Sequence, residues 1–339
     1  MKIVSIKDNL PILEEHSELN CGDKEIVVKL EACGICGSDI GNIFEKSSKP
    51  TKKIGHEISG IIYEVGREII DLKIGDRIII NHHCSCQKCH LCTHGNETMC
   101  EKFTEEIEPC GLAEKFLVSN WIIENKGVFK IPDDMSFKEA TLIEPFACCL
   151  RSWKKIQVKK DDSVMIFGFG TIGIFHSIIA KEKKLNKIIV DYDDFRLNFG
   201  KKENLGEDFL NINNSNFEEF KKFYEKIDLA IIANSDISCL NEAINVVRKG
   251  GTILFFGEPK ANSRTRIDLS KIYSKEIKIT TSYASTNQDF KEAMKVFSEK
   301  HNNFNKLITH EFTLENAQEA IKFARDGKNR IKVIISSNN

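Results

Sequence analysis

From Ser163 to Ser282, short apolar runs of strand length alternate with stretches of helical period, and no other feature of the chain constrains its fold as tightly. The runs are SVMIFGFG, KIIVDYD, DFLNI, DLAIIAN, TILFFGE and IKITTS. Between them the pattern predicts helices through Ala180 and near 197–203, 217–224 and 240–248. A helical crossover returns the chain to the end of the sheet from which it left, so strands joined this way run parallel. Parallel strands covered by helices on both faces read as near-continuous apolar runs, as these six do. The expectation is an α/β fold with a doubly wound parallel sheet.

The first run leads into Gly168-Phe169-Gly170-Thr171-Ile172-Gly173, which then opens a helical stretch. Only in that strand-turn-helix context does G-x-G-x-x-G carry meaning. Gly168 makes the tight turn, Gly170 lets the backbone approach a pyrophosphate, and Gly173 packs helix on strand, while the helix start presents N–H groups to the phosphate charge. Asp191 ends the next predicted strand, 18 residues past Gly173. A carboxylate there accepts hydrogen bonds from the ribose hydroxyls of NAD and repels the 2′-phosphate of NADP. Asp193 and Asp194 deepen that repulsion, and Arg196 opposes it, because a guanidinium can pair with a 2′-phosphate. Set against three carboxylates, Arg196 reads as a side chain stacked on adenine or solvated. The expected cofactor is NAD, held by Gly168, Gly170, Ile172, Gly173, Asp191 and Arg196.

The 339 residues are about twice the usual domain size, which points to two domains. From Glu25 to about Pro132 the sequence changes to short β-rich runs punctuated by Gly and Pro: EIVVKLEAC, IGHEISGIIYEVG, DRIIINHH, AEKFLVS and VFKIP. After about residue 288 a helix, a strand, a second helix and a last strand no longer follow the strand-helix repeat, and are expected to return to the first domain. The expected division is 1–150 with 288–339, and 151–287. Lys plus Arg number 49 and Asp plus Glu 50, a net charge of −1, which leaves no electrostatic footprint for nucleic acid or an anionic membrane. The first 20 residues hold no continuous apolar run, and nowhere do 18 apolar residues follow one another. A soluble, cytoplasmic protein with a small-molecule partner is expected.

Twelve cysteines in such a chain need a cause. Cys84, Cys86, Cys89, Cys92 and Cys100 fall within 17 residues. The spacing C-x2-C-x2-C-x7-C of Cys86, Cys89, Cys92 and Cys100 lets one loop wrap four thiolates around a tetrahedral Zn2+ with no open position, the mark of a structural site. Cys84 stands outside the set, as a fifth contender or a bystander. Cys36, His56 and Glu144 supply a thiolate, an imidazole and a carboxylate. Three protein ligands leave the open position a catalytic zinc requires, and one thiolate plus one carboxylate neutralise the ion. Spacing alone does not assemble these three; each has an ordinary reading as a buried thiol, a hydrogen-bonded core ring or a solvated helix start.

Cys33-Gly34-Ile35-Cys36-Gly37-Ser38-Asp39, Gly55-His56-Glu57, the four-cysteine loop with Gly95-Asn96, Glu144-Pro145, the glycine loop with Asp191, and LITHEFTLENAQEAIKFARDG occur in that order. In all six the chain resembles the zinc-dependent medium-chain dehydrogenases, in their sorbitol and threonine dehydrogenase branch, over nearly its whole length. The resemblance implies a GroES-like β-rich catalytic domain at 1–150 and 288–339, a Rossmann NAD-binding domain at 151–287, and substrate in the cleft between them. It implies two zinc ions per chain: one catalytic at Cys36, His56 and Glu144, one structural at Cys86, Cys89, Cys92 and Cys100. Ser38 is then the hydroxyl that takes the alcohol proton, with Asp39 and Glu57 holding the ligands; Glu57 is also an alternate ligand in exchange with Glu144. The implied function is hydride transfer between NAD and a secondary alcohol of a polyol, sugar derivative or amino alcohol, by a homodimer or homotetramer.

Four residues or segments depart from the family or complicate it. Gly41 stands where members often carry a His that ends a proton relay, Arg151 where sorbitol dehydrogenases carry His or a small polar residue, and 101–110 is shorter than usual. Cys148 lies four residues after Glu144 on one helical face, either as a second thiolate for the same metal or as a core thiol. The same residues are compatible with an NAD-retaining lyase or epimerase, with an L-threonine 3-dehydrogenase-type activity, and with a zinc-stabilised binding protein that has lost catalysis.

Overall fold

The six apolar runs form one parallel sheet: Ser163–Phe167, Asn186–Asp191, Asp208–Asn211, Ile227–Ile232, Val247–Phe255 and Lys278–Thr281. Numbered along the chain, their spatial order is 3-2-1-4-5-6, so the order reverses beside Ser163–Phe167, the strand that feeds the glycine loop. Ligands of such sheets bind outside the carboxyl ends of the strands at that reversal. Helices Thr171–Glu182, Asp194–Lys202 and Cys239–Val246 make crossovers. The third is shorter than its periodicity predicts, because Val247 already pairs with Ile227 as the first residue of the next strand. The structure, a computed structural model, describes residues 1–44, 54–105, 111–213, 217–299 and 304–337. Among these the chain divides into two compact units, Met1–Ala147 with Ala284–Lys328 and Lys332–Asn339, and Cys148–Tyr283 with Asn329–Ile331. No helix among the described residues is long and apolar enough to cross a membrane.

In the first unit, strands Ile308–Thr313, Lys332–Ser336, Ile26–Gly34, Glu57–Val65, Arg77–Ile80 and Val128–Lys130 lie in that spatial order, and Lys115–Val118 pairs with Ile26–Gly34 as well. Ile334 pairs antiparallel with Gly34 and Ile335 with Cys33, so the chain's last strand lies beside the strand that carries the first zinc-type turn. Val28, Ile58, Ile62, Ile78 and Ile335 fill the core beneath it, with Ala320 and Ile321 of helix Ala317–Asp326. The sequence pattern assigns nothing before Glu25, yet Lys2–Lys7 and Leu10–Glu15 form a hairpin. Its two turn residues, Asp8 and Asn9, both take positive φ, 51° and 61°. Asp and Asn tolerate that conformation, and it is the one a two-residue hairpin turn demands.

Candidate catalytic centre and coenzyme loop

Cys86, Cys89, Cys92 and Cys100 converge with all four sulfurs within 4.8 Å of one another. The closest pairs are Cys89–Cys92 and Cys86–Cys100, each at 3.5 Å. Backbone N–H groups donate to the sulfurs, among them Cys86 N to Cys100 Sγ at 3.5 Å and Cys89 N to Cys86 Sγ at 3.4 Å. The N–H of Lys88 lowers Cys86 to about 6, while burial pushes Cys92 up to about 12. An ion entering this set therefore meets one sulfur predisposed to the thiolate form that ligation needs. Phe103 packs against Cys92 and Cys100. Cys84 is a bystander: buried, its sulfur lies against Asn81 O at 3.5 Å and outside the four-sulfur group.

The second cluster centres on His56, which belongs to two donor groups at once: Cys36, His56 and Glu57, and His56, His82 and Glu144. Cys36 lies in the turn before helix Gly37–Phe44, and His56 directly precedes strand Glu57–Val65. Buried Asp39 ties them together, accepting from Cys36 N at 3.0 Å and Gly55 N at 3.2 Å and facing His56 Nδ1 at 3.3 Å. Burial pushes the Asp39 carboxyl up, but the charge of His56 and these hydrogen bonds outweigh it and hold it below the usual range. Burial likewise works against charge on His56, and Asp39 and Cys36 overcome it, holding the ring well above its ordinary value. With Nδ1 engaged, Nε2 is the nitrogen left to ligate. Ser38 is the second residue of the same helix, half-buried, two positions from Cys36.

Glu144 is in the first turn of helix Ile143–Trp153, buried, and grouped with His56 and His82. Cys36 and Glu144 each share a donor group with His56, but the expected trio of Cys36, His56 and Glu144 does not form a single group among the described residues. Glu57 falls in the donor cluster too, but its carboxylate is ion-paired with Lys332, whose ammonium also donates to Ile35 O at 3.2 Å. Side-chain exposures of 1% and 4% make this a fully buried pair. Burial alone would lower Lys332; the charges of Glu57 and Cys36 raise it instead. Gly34 makes room for the pair, since a Cβ there would stand 1.8 Å from Glu57 Oε2 and 2.7 Å from Lys332 Cε.

Sequence reasoning missed Lys332 and His82. Lys332 looks like an ordinary polar residue at a strand start, and only its pairing 275 positions away gives it meaning. His82 and His83 follow strand Arg77–Ile80, and Asn-His-His-Cys after an apolar strand was the available signal. Ring centroids run from His56 to His82 at 4.7 Å, His82 to His83 at 4.1 Å, and His83 to Phe103 at 4.5 Å with the last pair stacked. Burial holds His83 at about 4 and His82 well below its ordinary value, so both rings are neutral near pH 7.

In the second unit Gly168 has φ 93°, and its N–H donates to Val190 O at 2.8 Å. A Cβ on Gly173 would sit 1.9 Å from Gly168 O, so the helix can pack this close only without one. At Gly170, which caps helix Thr171–Glu182, a Cβ would meet only the Arg196 guanidinium, at 4.0 Å, leaving the backbone open to a phosphate. Ile172 is half-buried in the first turn. Asp191 is buried; it accepts from Phe169 N and from Asp193 N, the latter at 2.9 Å. Arg196 lies 3.7 Å from both Asp191 and Asp193 and donates to Arg330 O at 3.1 Å. It is thus engaged by carboxylates rather than solvated.

Residues 22–133 match the alcohol dehydrogenase GroES-like domain, and residues 171–299 match the zinc-binding dehydrogenase model. The chain belongs to the zinc-dependent medium-chain dehydrogenases. This medium-chain dehydrogenase is 28% identical over 337 residues to the L-idonate 5-dehydrogenase of Vitis vinifera, covering 93% of this chain and 88% of that one. It is 27% identical to the D-xylulose reductase A of Aspergillus niger, covering 92% and 89%. Among solved structures it is similar to a short chain alcohol dehydrogenase from E. coli CFT073 complexed with NADH, at TM-score 0.86, 26% identity and 99% of each chain. The fold is shared with galactitol-1-phosphate dehydrogenase from Escherichia coli, at TM-score 0.85, 23% identity and 99% and 100% coverage. The protein is an alcohol or polyol oxidoreductase with a GroES-like domain and a Rossmann-type domain.

The donor chemistry fits two zinc ions, one for four sulfurs in a loop and one for the mixed sulfur, nitrogen and carboxylate set at His56. Of the departures from the family, Gly41 has nothing among the described residues within 4 Å of where a Cβ would stand. Arg151 is buried on helix Ile143–Trp153. Cys148 is in neither donor cluster among the described residues. The short segment 101–110 lies in part, from 106 to 110, outside the described residues.

Proposed function

We propose that this dehydrogenase oxidises a secondary hydroxyl of a polyol, sugar derivative or amino alcohol, with NAD as hydride acceptor. What carries the reading is Asp39, one buried carboxylate that fixes both Cys36 and His56 beside Glu57, His82 and Glu144. Cys36, His56 and Glu144 would hold the catalytic zinc, and a zinc ion there supplies the Lewis acidity that lowers the pKa of a substrate hydroxyl. Cys86, Cys89, Cys92 and Cys100 would hold the structural one. Ser38, two positions from Cys36 at the start of helix Gly37–Phe44, would take the hydroxyl proton and pass it on, because a serine relays without storing charge, and Gly41 offers no side chain to end the path. Asp39 keeps His56 oriented, and Glu57, neutralised by Lys332, supports the same wall of the site. On the coenzyme side, Gly170 leaves the backbone open for a pyrophosphate, and Asp191 retains lone pairs for ribose hydroxyls beyond the two N–H groups it accepts. The preference for NAD over NADP rests on Asp191 and Asp193, which already occupy Arg196.

A homodimer or homotetramer is part of the same proposal. Strand Lys278–Thr281 ends the parallel sheet, its residues are largely exposed, and an open edge of this kind is covered in natural proteins by pairing or by assembly. The function is tested by following NADH formation with polyols, sugar phosphates, aminocyclitols and threonine. Oxidation of at least one secondary alcohol is expected. Turnover of such a compound with no net NADH would replace the reading by an NAD-retaining lyase or epimerase, and absence of NAD binding would remove it.

A further inference from the structure

His82 is 6% exposed, and its Nδ1 is buried with no hydrogen-bond partner among the described residues. A buried polar atom in that state is destabilised relative to a satisfied one and calls for a reason. The residues around it are organised to keep it there. Asn81, immediately before it, donates N–H to Gly127 O at 2.8 Å and its side-chain amide to Asn287 Oδ1 at 2.7 Å. His83, immediately after it, donates its N–H to Asn81 Oδ1 at 3.2 Å and contacts Phe103 O through Nδ1 at 3.0 Å. Both neighbours are anchored while the ring between them has an unspent nitrogen. One donor atom each from His56, His82 and Glu144 lie within 4.8 Å of one another, a spacing that one ion with bonds of about 2.0–2.2 Å can draw together.

Charge separates His82 from the other candidate fourth donor. Glu57 is already compensated by buried Lys332, and adding it to Cys36 and Glu144 would give three anions against one divalent ion. A neutral imidazole leaves the sum of one thiolate, one carboxylate and Zn2+ at zero. We propose that His82 is the fourth protein donor to the metal of this centre in the alcohol-free enzyme, and that it gives way when an alcohol enters. The proposal rests on the reading of Cys36, His56 and Glu144 as a metal site.

The test is 113Cd NMR of the cadmium-substituted enzyme with 15N-labelled histidine, in which a four-sulfur site and a one-sulfur site give well-separated resonances. Two imidazole nitrogens coupled to the one-sulfur cadmium are expected, one of them lost in His82→Phe, a change that keeps an aromatic ring between His56 and His83. The four-sulfur resonance should be unmoved in the variant, which reports an intact fold, and the other ion should pass to a chelator at least about 10-fold faster. Adding the alcohol found by the NADH screen should remove the His82 coupling and spare that of His56. A single coupled imidazole in the alcohol-free enzyme, or a coupling to His82 that survives saturating alcohol, would overturn the proposal. Absence of any one-sulfur cadmium signal would instead overturn the metal-site reading beneath it.

Discussion

Lys332→Met removes one half of the buried ion pair with Glu57 while nearly keeping its volume. The wild-type side chains are 4% and 1% exposed, so no solvent is available to take over from the ammonium. Removing one partner of such a pair costs about 3–5 kcal/mol, mainly because the other charge is stranded. Against a total stability of about 5–15 kcal/mol, that is a large fraction. At roughly 2–4 °C per kcal/mol for a unit of this size, Tm should fall by roughly 6–20 °C at pH 7. Glu57→Gln added to Lys332→Met should recover more than half of the loss, since neither member of the pair then carries a charge. Differential scanning calorimetry on the zinc-loaded protein reads all three. If Lys332→Met alone stays within about 1 kcal/mol of wild type, the pair is not the closed, solvent-free contact that Gly34 makes room for.

Elemental analysis should give two zinc ions per chain; Cys89→Ser should lose one of them together with folding stability or assembly, whereas Glu144→Ala should abolish turnover in a folded protein. Equal loss of fold in both would erase the distinction between the two sites. Asp191→Ser should shift the NAD over NADP ratio of kcat/KM toward NADP by about 10- to 100-fold, by losing the ribose acceptor and releasing Arg196. A wild-type enzyme that prefers NADP would show that Arg196 dominates. Ser38→Ala should lower kcat by about 100-fold or more with little change in NAD affinity, provided that single-turnover rates confirm hydride transfer as the slow step. His176, buried and accepting at Nδ1 from Trp153 Nε1 at 3.0 Å, is held at about 3 by burial. Its native state is neutral, so the stability it contributes is present above about pH 6.5 and is lost, by roughly 1.4 kcal/mol per unit, as pH falls below that. His176→Gln, which retains an acceptor for Trp153, should flatten the fall of Tm between pH 6.5 and 4.5, and an unchanged slope would assign the acid sensitivity elsewhere.

The coenzyme sheet was legible because its central strands Ser163–Phe167, Asn186–Asp191 and Ile227–Ile232 are buried on both faces and write that burial as a near-continuous apolar run, with Gly168, Gly170 and Gly173 marking where the first strand turns into its helix. Asp191 was readable for the same reason, as the polar residue that closes the second run. The hairpin Lys2–Lys7 and Leu10–Glu15 was not, because its strands mix apolar and charged residues and its turn signal is Asp8-Asn9 rather than a glycine. At the catalytic centre, Cys36 and His56 gained meaning from local motifs. His82 had only the weak signal of Asn-His-His-Cys after an apolar strand, and Lys332 had none: a lysine in IKVII is indistinguishable from a strand residue facing water until its partner on another strand is known. What singles them out is burial without solvent for a charge and without a partner for a ring nitrogen, properties that only the folded chain possesses.

The four rings from His56 through His82 and His83 to Phe103 end against Cys92 and Cys100, so the two ion-binding sets are mechanically continuous within one packed unit. Continuity of this kind has a thermodynamic corollary. If an ion among the four sulfurs steadies Phe103 and, through it, the rings beside His56, the free energy of that coupling has one value whichever ion is added first. Filling the thiolate lobe must then raise the affinity of the catalytic centre by the same factor by which filling the centre raises that of the lobe. In that case each metal would act as an effector of the other, and a chelator that strips the lobe would also weaken the hold on the centre without touching any of its ligands.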